Sequence, residues 1–378
     1  MRLTGKNDKA DVMDKQIEFI CRRFGIEGEY LRYELVTNGH INTTYKVYFF
    51  RDNEEKDYIL QKLNTYVFKN PVEVMNNISS VTEYIRAKIK SGGISAKRFV
   101  LHYYKNVDDG NYYIDSAKDG FWRLCRYIDN SVTFNETDNL KVIEESGKAF
   151  GKFQLHLADY PVKDLHIAIP HFHNTVKRYE TFKESLAKNE SGRAENVRAE
   201  IEEYLSLEEM ATRMYKMQRR GELPLKVTHN DTKCNNVLFD EKTFENLAVI
   251  DLDTVMPGLV AFDFGDAIRF TANTSAEDET DLERVKLDMA KYEAFTKGFM
   301  GTVGQTLSQN EKSTMALGAI TMTVECGLRF LTDYIDGDKY FKVDRSEHNK
   351  ERARCQLALA KDMIAHFDEM KAIVEKYS

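Results

Sequence analysis

The residues best suited to chemistry lie in one short stretch, VTHNDTKCNNVLFD, which begins at Val227 and contains His229, Asp231 and Asn236. A second acidic group, Asp251, follows in the segment LAVIDLDT. The carboxylate of Asp231 could orient an attacking hydroxyl group and accept its proton, as phosphoryl transfer from ATP requires. Oxygen atoms of Asn236 and Asp251 are ligands of the kind that Mg²⁺ binds together with phosphates. A polar surface loop is the alternative, because Asn, Asp and Thr also favour turns.

Two short apolar segments decide between these interpretations. NVLFD and LAVID are typical of strands, and the polar residues between them predict a hairpin that would bring Asp251 beside Asn236. The order His229, Asp231, Asn236, with a second aspartate on the next hairpin, matches the catalytic loop of protein kinases. We therefore predict that Asp231 is catalytic and that Asn236 and Asp251 bind Mg²⁺. His229 is expected to hold the loop through hydrogen bonds.

The overall composition is that of an ordinary globular protein. The 378 residues are 42% hydrophobic and 30% charged, and the formal net charge is −7, whereas nucleic-acid binding calls for a basic domain or stripe. Five scattered cysteines predict neither a disulfide framework nor a zinc site. The segment MRLTGKNDKADVMDK lacks the apolar part of a signal peptide, and no run approaches the roughly 18 apolar residues of a membrane span. We expect a cytoplasmic protein with no nucleic-acid or membrane partner.

The remaining segments predict an α+β fold with two lobes. Residues 12–25 have helical spacing, and residues 30–128 predict an antiparallel sheet with one main helix, VEVMNNISSVTEYIRAKI. Strands are expected at LRYELVTNGHINTTYKVYFF, KDYILQKLN, RFVLHYY, GNYYIDS and GFWRLCRYI. Helical spacing then dominates, apart from short strands around the loop at Val227. We predict a small antiparallel β lobe, residues 1–128, and a larger mainly α-helical lobe, residues 129–378.

Three segments together resemble a known family: the quoted loop, VIDLDTVMPGLVAFDFGDAIR and GLRFLTDYIDGDKYF. The chain is similar to the aminoglycoside phosphotransferase and choline kinase superfamily, which has a two-lobed protein-kinase-like fold. Within that superfamily it resembles the bacterial N-acetylhexosamine 1-kinases, most strongly from Val227 to Phe341. The resemblance implies that ATP, with Mg²⁺ as cofactor, phosphorylates the anomeric C1 hydroxyl group of N-acetylglucosamine or N-acetylgalactosamine.

The resemblance also implies which residues contact the nucleotide. The loop TNGHINTTY would cover the phosphates of ATP, and backbone groups of CRYIDN would contact adenine. The residues expected to bind nucleotide are Asn42, Thr43, Thr44, Arg126, Tyr127 and Ile128. The strand after this loop departs from the superfamily, because Gln61 occupies the place of the usual phosphate-pairing lysine, with Lys62 beside it. A glutamine cannot neutralise phosphate charge, so the usual ion pair is not expected from Gln61.

The acceptor side of the site rests on the same resemblance. His40, Arg329 and Tyr340 are carried over as sugar-binding residues, together with Asp231. Arginine donates several hydrogen bonds to hydroxyl and acetyl oxygens, and tyrosine adds an apolar face with a polar tip. From spacing alone, Arg329 and Asp333 could instead pair with each other at positions i and i+4.

The segment FDFGDAIRF contains Asp263-Phe264-Gly265, which looks like the D-F-G sequence of protein kinases. In the superfamily that the chain resembles, the metal-binding aspartate comes earlier, at Asp251 here. Asp263 is therefore expected to fix the catalytic loop. Asp266 is expected to cap a helix that begins with AIRF.

Two other functions stay open on the sequence. One is a kinase for another small acceptor, such as homoserine, a choline-like amino alcohol or an aminoglycoside, since residues 129–180 contain aromatic and acidic groups that could surround a cation. The other is a pseudokinase that binds nucleotide without transfer. The missing lysine favours a pseudokinase, whereas Asp231, Asn236 and Asp251 oppose it. A monomer or weak dimer is expected.

Overall fold

The computed structural model describes residues 7–37 and 41–378, with side chains from residue 12 onward. The chain divides into two compact units: unit 1 extends to Ser131 and includes Leu165–Ile169, and unit 2 comprises Val132–Asp164 and Pro170–Ser378. Unit 1 contains an antiparallel sheet, and unit 2 is mainly helical. The predicted α+β class, with a small β part and a larger helical part, is confirmed. The exact boundary after residue 128 stays a prediction.

Unit 1 is built on one five-stranded antiparallel sheet of order β1-β2-β3-β5-β4. Its elements are α1 (Asn7–Arg23), β1 (Glu29–Val36), β2 (Thr43–Arg51), β3 (Glu54–Lys62), α2 (Pro71–Ser91), β4 (Ile114–Ser116) and β5 (Gly120–Arg126). The strand predicted at RFVLHYY is wrong. Ser95 accepts a hydrogen bond from Lys97 N and so caps a single helical turn, Ala96–Arg98, at the start of that segment. Further along, Tyr103 forms only an isolated bridge to Cys125.

Side chains on one face of the central strands form the core of unit 1. Val47 and Phe49 on β2 point to the same face as Leu60 on β3, and they pack against Ile17 and Ile20 of α1. The sheet and α1 therefore share one apolar core.

A short segment from later in the chain joins unit 1 through one buried side chain. The amide of Asn77, on α2, donates to His166 O (2.9 Å) and accepts from His166 N (2.9 Å). These two hydrogen bonds satisfy both a donor and the acceptor of the buried Asn77 amide. They tie Leu165–Ile169 to unit 1, which the sequence did not predict.

Unit 2 begins at Val132, within β6 (Ser131–Val132), and is mainly helical. Its helices are α3 (Leu140–His156), α4 (Thr175–Lys188), α5 (Arg198–Ser206), α6 (Glu208–Arg219), α7 (Val260–Thr271), α8 (Met289–Val303), α9 (Gln309–Asp336), α10 (His348–Ala365) and α11 (Phe367–Lys376). Its other strands are β7 (Lys226–Thr228), β8 (Val237–Asp240), β9 (Asn246–Val249) and β10 (Met256–Gly258). The strands predicted around the loop at Val227 are confirmed.

Two glycines let α7 and α9 touch. A Cβ atom on Gly265 would lie 2.3 Å from the carbonyl oxygen of Gly318, and one on Gly318 would lie 2.2 Å from the carbonyl oxygen of Ala261. Only residues without a side chain permit this backbone approach. The contact sets the position of α7, which carries Asp263 and Asp266, against α9.

Helix α9 is the longest described element and lies in the core of unit 2. It contains an 18-residue window with a mean hydropathy of 1.2, so by length and composition alone it could cross a membrane. In the structure 89% of that window is buried inside the protein. All five cysteines are free, as the sequence predicted.

Candidate functional site

The hairpin predicted after the catalytic loop is confirmed. Strands β8 and β9 are antiparallel, with Val237 opposite Val249. One step beyond this pair, Ile250 N donates to Asn236 O (2.9 Å). Asp251 follows at once, in the left-handed conformation (φ 57°), and turns the chain away from the strand. The fold therefore brings the candidate metal ligands Asn236 and Asp251 to the same end of one hairpin.

Two neighbours hold the side chain of Asp231. The side-chain amide nitrogen of Asn236 donates to the backbone carbonyl oxygen of Asp231 (2.8 Å) and to its Oδ2 atom (3.1 Å). The ammonium group of Lys233 lies 3.0 Å from the Oδ1 atom of Asp231. Both carboxylate oxygens thus have a donor, and the amide oxygen of Asn236 is left for another partner. Lys233 was not predicted as a site residue from the sequence, although residues i and i+2 of an extended segment share one side.

His229 is fully buried and bridges the loop to the hairpin. Its Nδ1 atom accepts from Asp231 N (3.2 Å), so the other ring nitrogen, Nε2, carries the proton and donates to Ile250 O (2.9 Å). The rings of Phe150 and Phe153 pack edge-on against the imidazole. The imidazole therefore fixes the distance between Asp231 and the end of β9.

Asp263 lies beneath the loop and is also fully buried. Its carboxylate accepts from His229 N (2.9 Å), Asn230 N (2.8 Å) and the side-chain amide of Gln154 (2.7 Å). Asn230 has a left-handed backbone (φ 65°), a conformation that non-glycine residues rarely adopt. Burial raises the pKa of the Asp263 carboxyl group, and His229 and the three donors oppose that shift. The carboxylate thus holds the backbone of the loop in its unusual conformation.

Asp266 does not cap a helix, because α7 begins at Val260 and Asp266 lies in its interior. Its carboxylate accepts from Thr232 N (2.9 Å) and pairs with Arg269 (3.1 Å). Burial alone would raise the pKa of Asp266, but Arg269 and then Lys233 bring it below its ordinary value. Burial alone would lower the pKa of Lys233, but Asp231 and Asp266 bring it above its ordinary value. Lys233 is therefore a permanent cation between two carboxylates.

A second bridge connects the loop to α9. The Nε2 atom of His173 lies 3.2 Å from Asn230 O, and its Nδ1 atom lies 3.0 Å from Glu325 Oε1. The imidazole ring thus bridges the backbone of Asn230 and the buried carboxylate of Glu325. Burial alone would raise the pKa of Glu325, but His173 brings it below its ordinary value. The sequence did not single out this connection, because its members are far apart in the chain.

The expected alternative for Arg329, an ion pair with Asp333, is wrong. The carboxylate of Asp333 instead accepts from Lys339 N (2.9 Å), Tyr340 N (2.8 Å) and Phe341 N (2.9 Å). It thereby builds the turn that presents Tyr340, whose side chain is 75% exposed. Within the described part of the chain Arg329 forms no ion pair, and its guanidinium carbon lies 5.9 Å from the ring centre of Tyr340 and 5.2 Å from that of Phe341.

The candidate nucleotide residues of unit 1 already have protein partners. Asn42 accepts from Asn64 N (3.0 Å), and Thr44 accepts from the Gln61 amide (3.0 Å), whose oxygen in turn accepts from Arg123 Nε (2.9 Å). Thr43 is the first residue of β2. The buried Arg123 thus places a cation next to Gln61, which the sequence analysis missed.

The candidate adenine segment has partners in its backbone as well. Arg126 N donates to His102 O (2.9 Å), and Tyr127 N donates to Asp57 O (3.1 Å). Ile128 O accepts from the Ser131 hydroxyl group (2.6 Å). Nucleotide binding by these residues stays a prediction. His40 lies outside the described residues.

The donor set at the end of the hairpin fits a small, hard cation. Among the described residues, no group of three or more His, Cys, Asp or Glu side chains could hold a metal ion. Mg²⁺ is usually bound by one or two protein oxygens and takes its other ligands from water and substrate phosphates. Asn236 and Asp251, which the hairpin brings to the same end, could supply such a pair of oxygens.

A polar cavity of about 580 Å³ lies among residues of unit 2. It is lined by Cys234, Arg269, Phe270, Glu277 and Gln356, among others. Its lining includes neither Asp231 nor Arg329. We therefore do not assign the acceptor to this cavity.

The fold of the chain is similar to those of several solved small-molecule kinases and phosphotransferases. The chain resembles a choline kinase from Cryptosporidium parvum Iowa II, with a TM-score of 0.58, 16% identity, and coverage of 96% of this chain and 99% of that chain. It resembles a microcompartment-associated aminopropanol kinase with a TM-score of 0.55, 14% identity, and coverage of 94% and 98%. It also resembles a spectinomycin phosphotransferase in complex with ADP and spectinomycin, with a TM-score of 0.53 and 11% identity. That comparison covers 94% of this chain and 98% of that chain. At these identities the likeness shows the fold alone.

A family model agrees with this fold. The model described as the phosphotransferase enzyme family matches residues 34–295, which is more than half of the chain and includes the catalytic loop and the hairpin. The superfamily expected from the sequence is thus confirmed. The chain belongs to the phosphotransferase enzyme family.

Proposed function

We propose that the protein transfers the γ-phosphoryl group of ATP to the anomeric hydroxyl group of an N-acetylhexosamine and releases the sugar 1-phosphate and ADP. The observation that carries this proposal is the anchored Asp231, with Asn236 and Asp251 at the end of the adjoining hairpin. A pseudokinase would not need this arrangement. The restriction to N-acetylhexosamines rests on the resemblance at Arg329 and Tyr340.

In the proposed reaction Asp231 orients the C1 hydroxyl group and takes its proton. The hydroxyl oxygen forms a bond to the γ-phosphorus, and the bond from that phosphorus to the β,γ-bridging oxygen breaks, so that ADP leaves. Asn236 and Asp251 would hold Mg²⁺, which offsets charge on the phosphate oxygens when bound. No covalent enzyme intermediate is needed.

Nucleotide binding by this chain is also part of the proposal. A relative of the same fold was solved with ADP, which supports it. The residues that we propose for it are Asn42, Thr43, Thr44, Arg126, Tyr127 and Ile128. In the described structure the cation next to Gln61 is Arg123, so charge in this part of the protein comes from a neighbouring strand.

For the acceptor, we propose contacts from His40, Arg329 and Tyr340. Because Asp333 is occupied by the turn at residues 339–341, the guanidinium group of Arg329 keeps its donors for a ligand. The exposed ring of Tyr340 offers an apolar face beside it, a combination that suits the hydroxyl groups and apolar patches of a sugar.

The proposed function is tested by ³¹P NMR of the purified protein with ATP, Mg²⁺ and a panel of acceptors. The panel contains N-acetylglucosamine, N-acetylgalactosamine, galactose, glucose, choline, homoserine and kanamycin. We expect a sugar 1-phosphate doublet from the two N-acetylhexosamines, and no transfer when Mg²⁺ is removed by EDTA. If ADP forms only with choline, homoserine or kanamycin, the protein is a kinase but its acceptor is not an N-acetylhexosamine. Nucleotide binding without transfer to any acceptor would favour the pseudokinase.

Replacement of Lys233 by methionine is expected to lower kcat by about 10- to 100-fold, because the charge that holds Asp231 is lost. The same change removes the positive charge that acts on both Asp231 and Asp266. Steady-state kinetics with N-acetylglucosamine measures the effect. Lys233→Arg should keep more activity than Lys233→Met.

The matched control is Lys371→Met on α11. Lys371 forms an ion pair of similar length (2.7 Å) with Asp368, but that pair is exposed at the surface. Its loss should leave kcat unchanged. Equal activities of Lys233→Met and Lys371→Met would show that Lys233 does not position Asp231.

A further inference from the structure

Helices α4 and α9 lie side by side in a fixed register. Near the start of α4 the hydroxyl group of Thr175 donates to Glu325 Oε2 (2.6 Å), and near its end Ser185 donates to Asp336 Oδ2 (3.0 Å). The two bonds are separated by nearly the same number of residues on each helix. Hence the helices run in the same direction, and one turn along α4 is level with one turn along α9.

This register brings two arginines to the same level. Arg178 lies one turn after Thr175 on α4, and Arg329 lies one turn after Glu325 on α9. Residues three or four apart share a helix face, so both side chains lie on the side of the Thr175–Glu325 hydrogen bond. The guanidinium carbon of Arg329 lies 5.9 Å from the ring centre of Tyr340, and the charges of Arg329 and Tyr340 both act on Arg178. Arg329 and Tyr340 were expected from the sequence to contact the acceptor, whereas Arg178 was not.

The carboxylate next to this pair has other partners. Glu325 is buried, and its two oxygens accept from Thr175 and His173. Arg178 donates to Phe172 O (2.9 Å), and its buried Nε atom has no hydrogen-bond partner in the described part of the chain. Burial and the charge of Arg329 lower the pKa of Arg178, and Glu325 and Tyr340 offset this only in part. The two arginines thus lie at the same level of neighbouring helices, and both oxygens of the nearby Glu325 carboxylate are already used by Thr175 and His173.

We infer that Arg178 and Arg329 together select acceptors by charge: they bind an oxygen-bearing substituent, uncharged or anionic, and repel a cationic one. An amide carbonyl group can accept from both guanidinium groups. An ammonium group at the same place has no lone pair to offer and meets two like charges. The inference rests on the proposed function, and it adds Arg178 as a specificity-determining residue. It also predicts that choline-like and aminoglycoside acceptors are poor substrates.

The test compares N-acetylglucosamine with glucosamine, at a pH low enough to keep the amino group protonated. These sugars differ only in the substituent at C2. We expect kcat/KM of the wild type to be at least about 10-fold higher for the acetamido sugar, the effect of one hydrogen bond from a charged donor. Arg178→Gln should reduce that ratio by about 10-fold, mainly by raising KM for N-acetylglucosamine. Arg178→Glu should raise kcat/KM for glucosamine above the wild-type value.

The control is Lys177→Gln, which removes a cation from the same helix one residue away. Lys177 is exposed and pairs with Glu180. This variant should keep the wild-type ratio. If Arg178→Gln lowers kcat for both sugars equally, Arg178 has a structural role and the inference is wrong. If the wild type phosphorylates neither sugar, the proposed function itself fails, so the two failures are distinct.

Discussion

Asp231→Asn is expected to lower kcat by about 10²- to 10⁴-fold, the usual contribution of a positioned proton acceptor. An asparagine side chain has the same shape, but it cannot take a proton from the attacking hydroxyl group. It also loses the charge that pairs with Lys233. The rest of the loop should persist, since His229, Asp263 and Thr254 hold it through groups that this change leaves intact.

Two further measurements show whether Asp231→Asn loses only catalysis or also its folded structure. Asp231 is partly exposed, so its replacement should change the free energy of unfolding by less than about 1 kcal/mol. The affinity for ADP, measured by calorimetry, should stay within a few-fold of the wild-type value. Asp368→Asn is the matched control, because Asp368 is an exposed, lysine-paired aspartate on α11. An Asp231→Asn enzyme with wild-type kcat would contradict the proposed mechanism.

The parts of the fold that the sequence predicted are those with a local pattern. Strand β2 is rich in β-branched and aromatic residues, and α2 has apolar residues at helical intervals. The start of α7 was missed because its residues are buried on every side and so show no periodic pattern. From the sequence, Asp266 was expected to cap the helix and Asp263 to precede it. In fact they lie inside the helix and bind the catalytic loop.

The same distinction applies to the site. The adjacency of Asn236 and Asp251 followed from two short strands and a turn, which are neighbours in sequence. Lys233 was missed although it is local, because a lysine beside an aspartate is common on surfaces. The bridge from Asn230 through His173 to Glu325 joins three distant segments, and no pattern in one sequence indicates such a pairing. Similarly, only the structure shows that the carboxylate of Asp333 accepts from the backbone of the turn at Tyr340 and does not pair with Arg329.

Asp263→Ala is expected to be the most destabilising single change at the site. The carboxylate of Asp263 is the acceptor for two backbone N–H groups and one side-chain amide, all buried. Removal of the acceptor leaves these donors without partners, at a cost of about 1–3 kcal/mol for each group. Some of the donors will find water in the space that opens, so we expect a total loss of about 4 kcal/mol in the free energy of unfolding. Urea denaturation measures this value directly.

Asp263→Asn separates the charge from the shape of the side chain. Asparagine fits the same space, but its NH₂ group would face donors from His229, Asn230 or Gln154, so we expect a smaller loss of about 2 kcal/mol. In both variants Asn230 should relax from its left-handed backbone, and kcat should fall even at temperatures where the protein is folded. Asp368→Ala, at an exposed position, should change stability by less than about 0.5 kcal/mol. If Asp263→Ala behaves like that control, the catalytic loop keeps its conformation without Asp263, and the strain at Asn230 must be supported by its other hydrogen bonds, to Thr228 and Thr254.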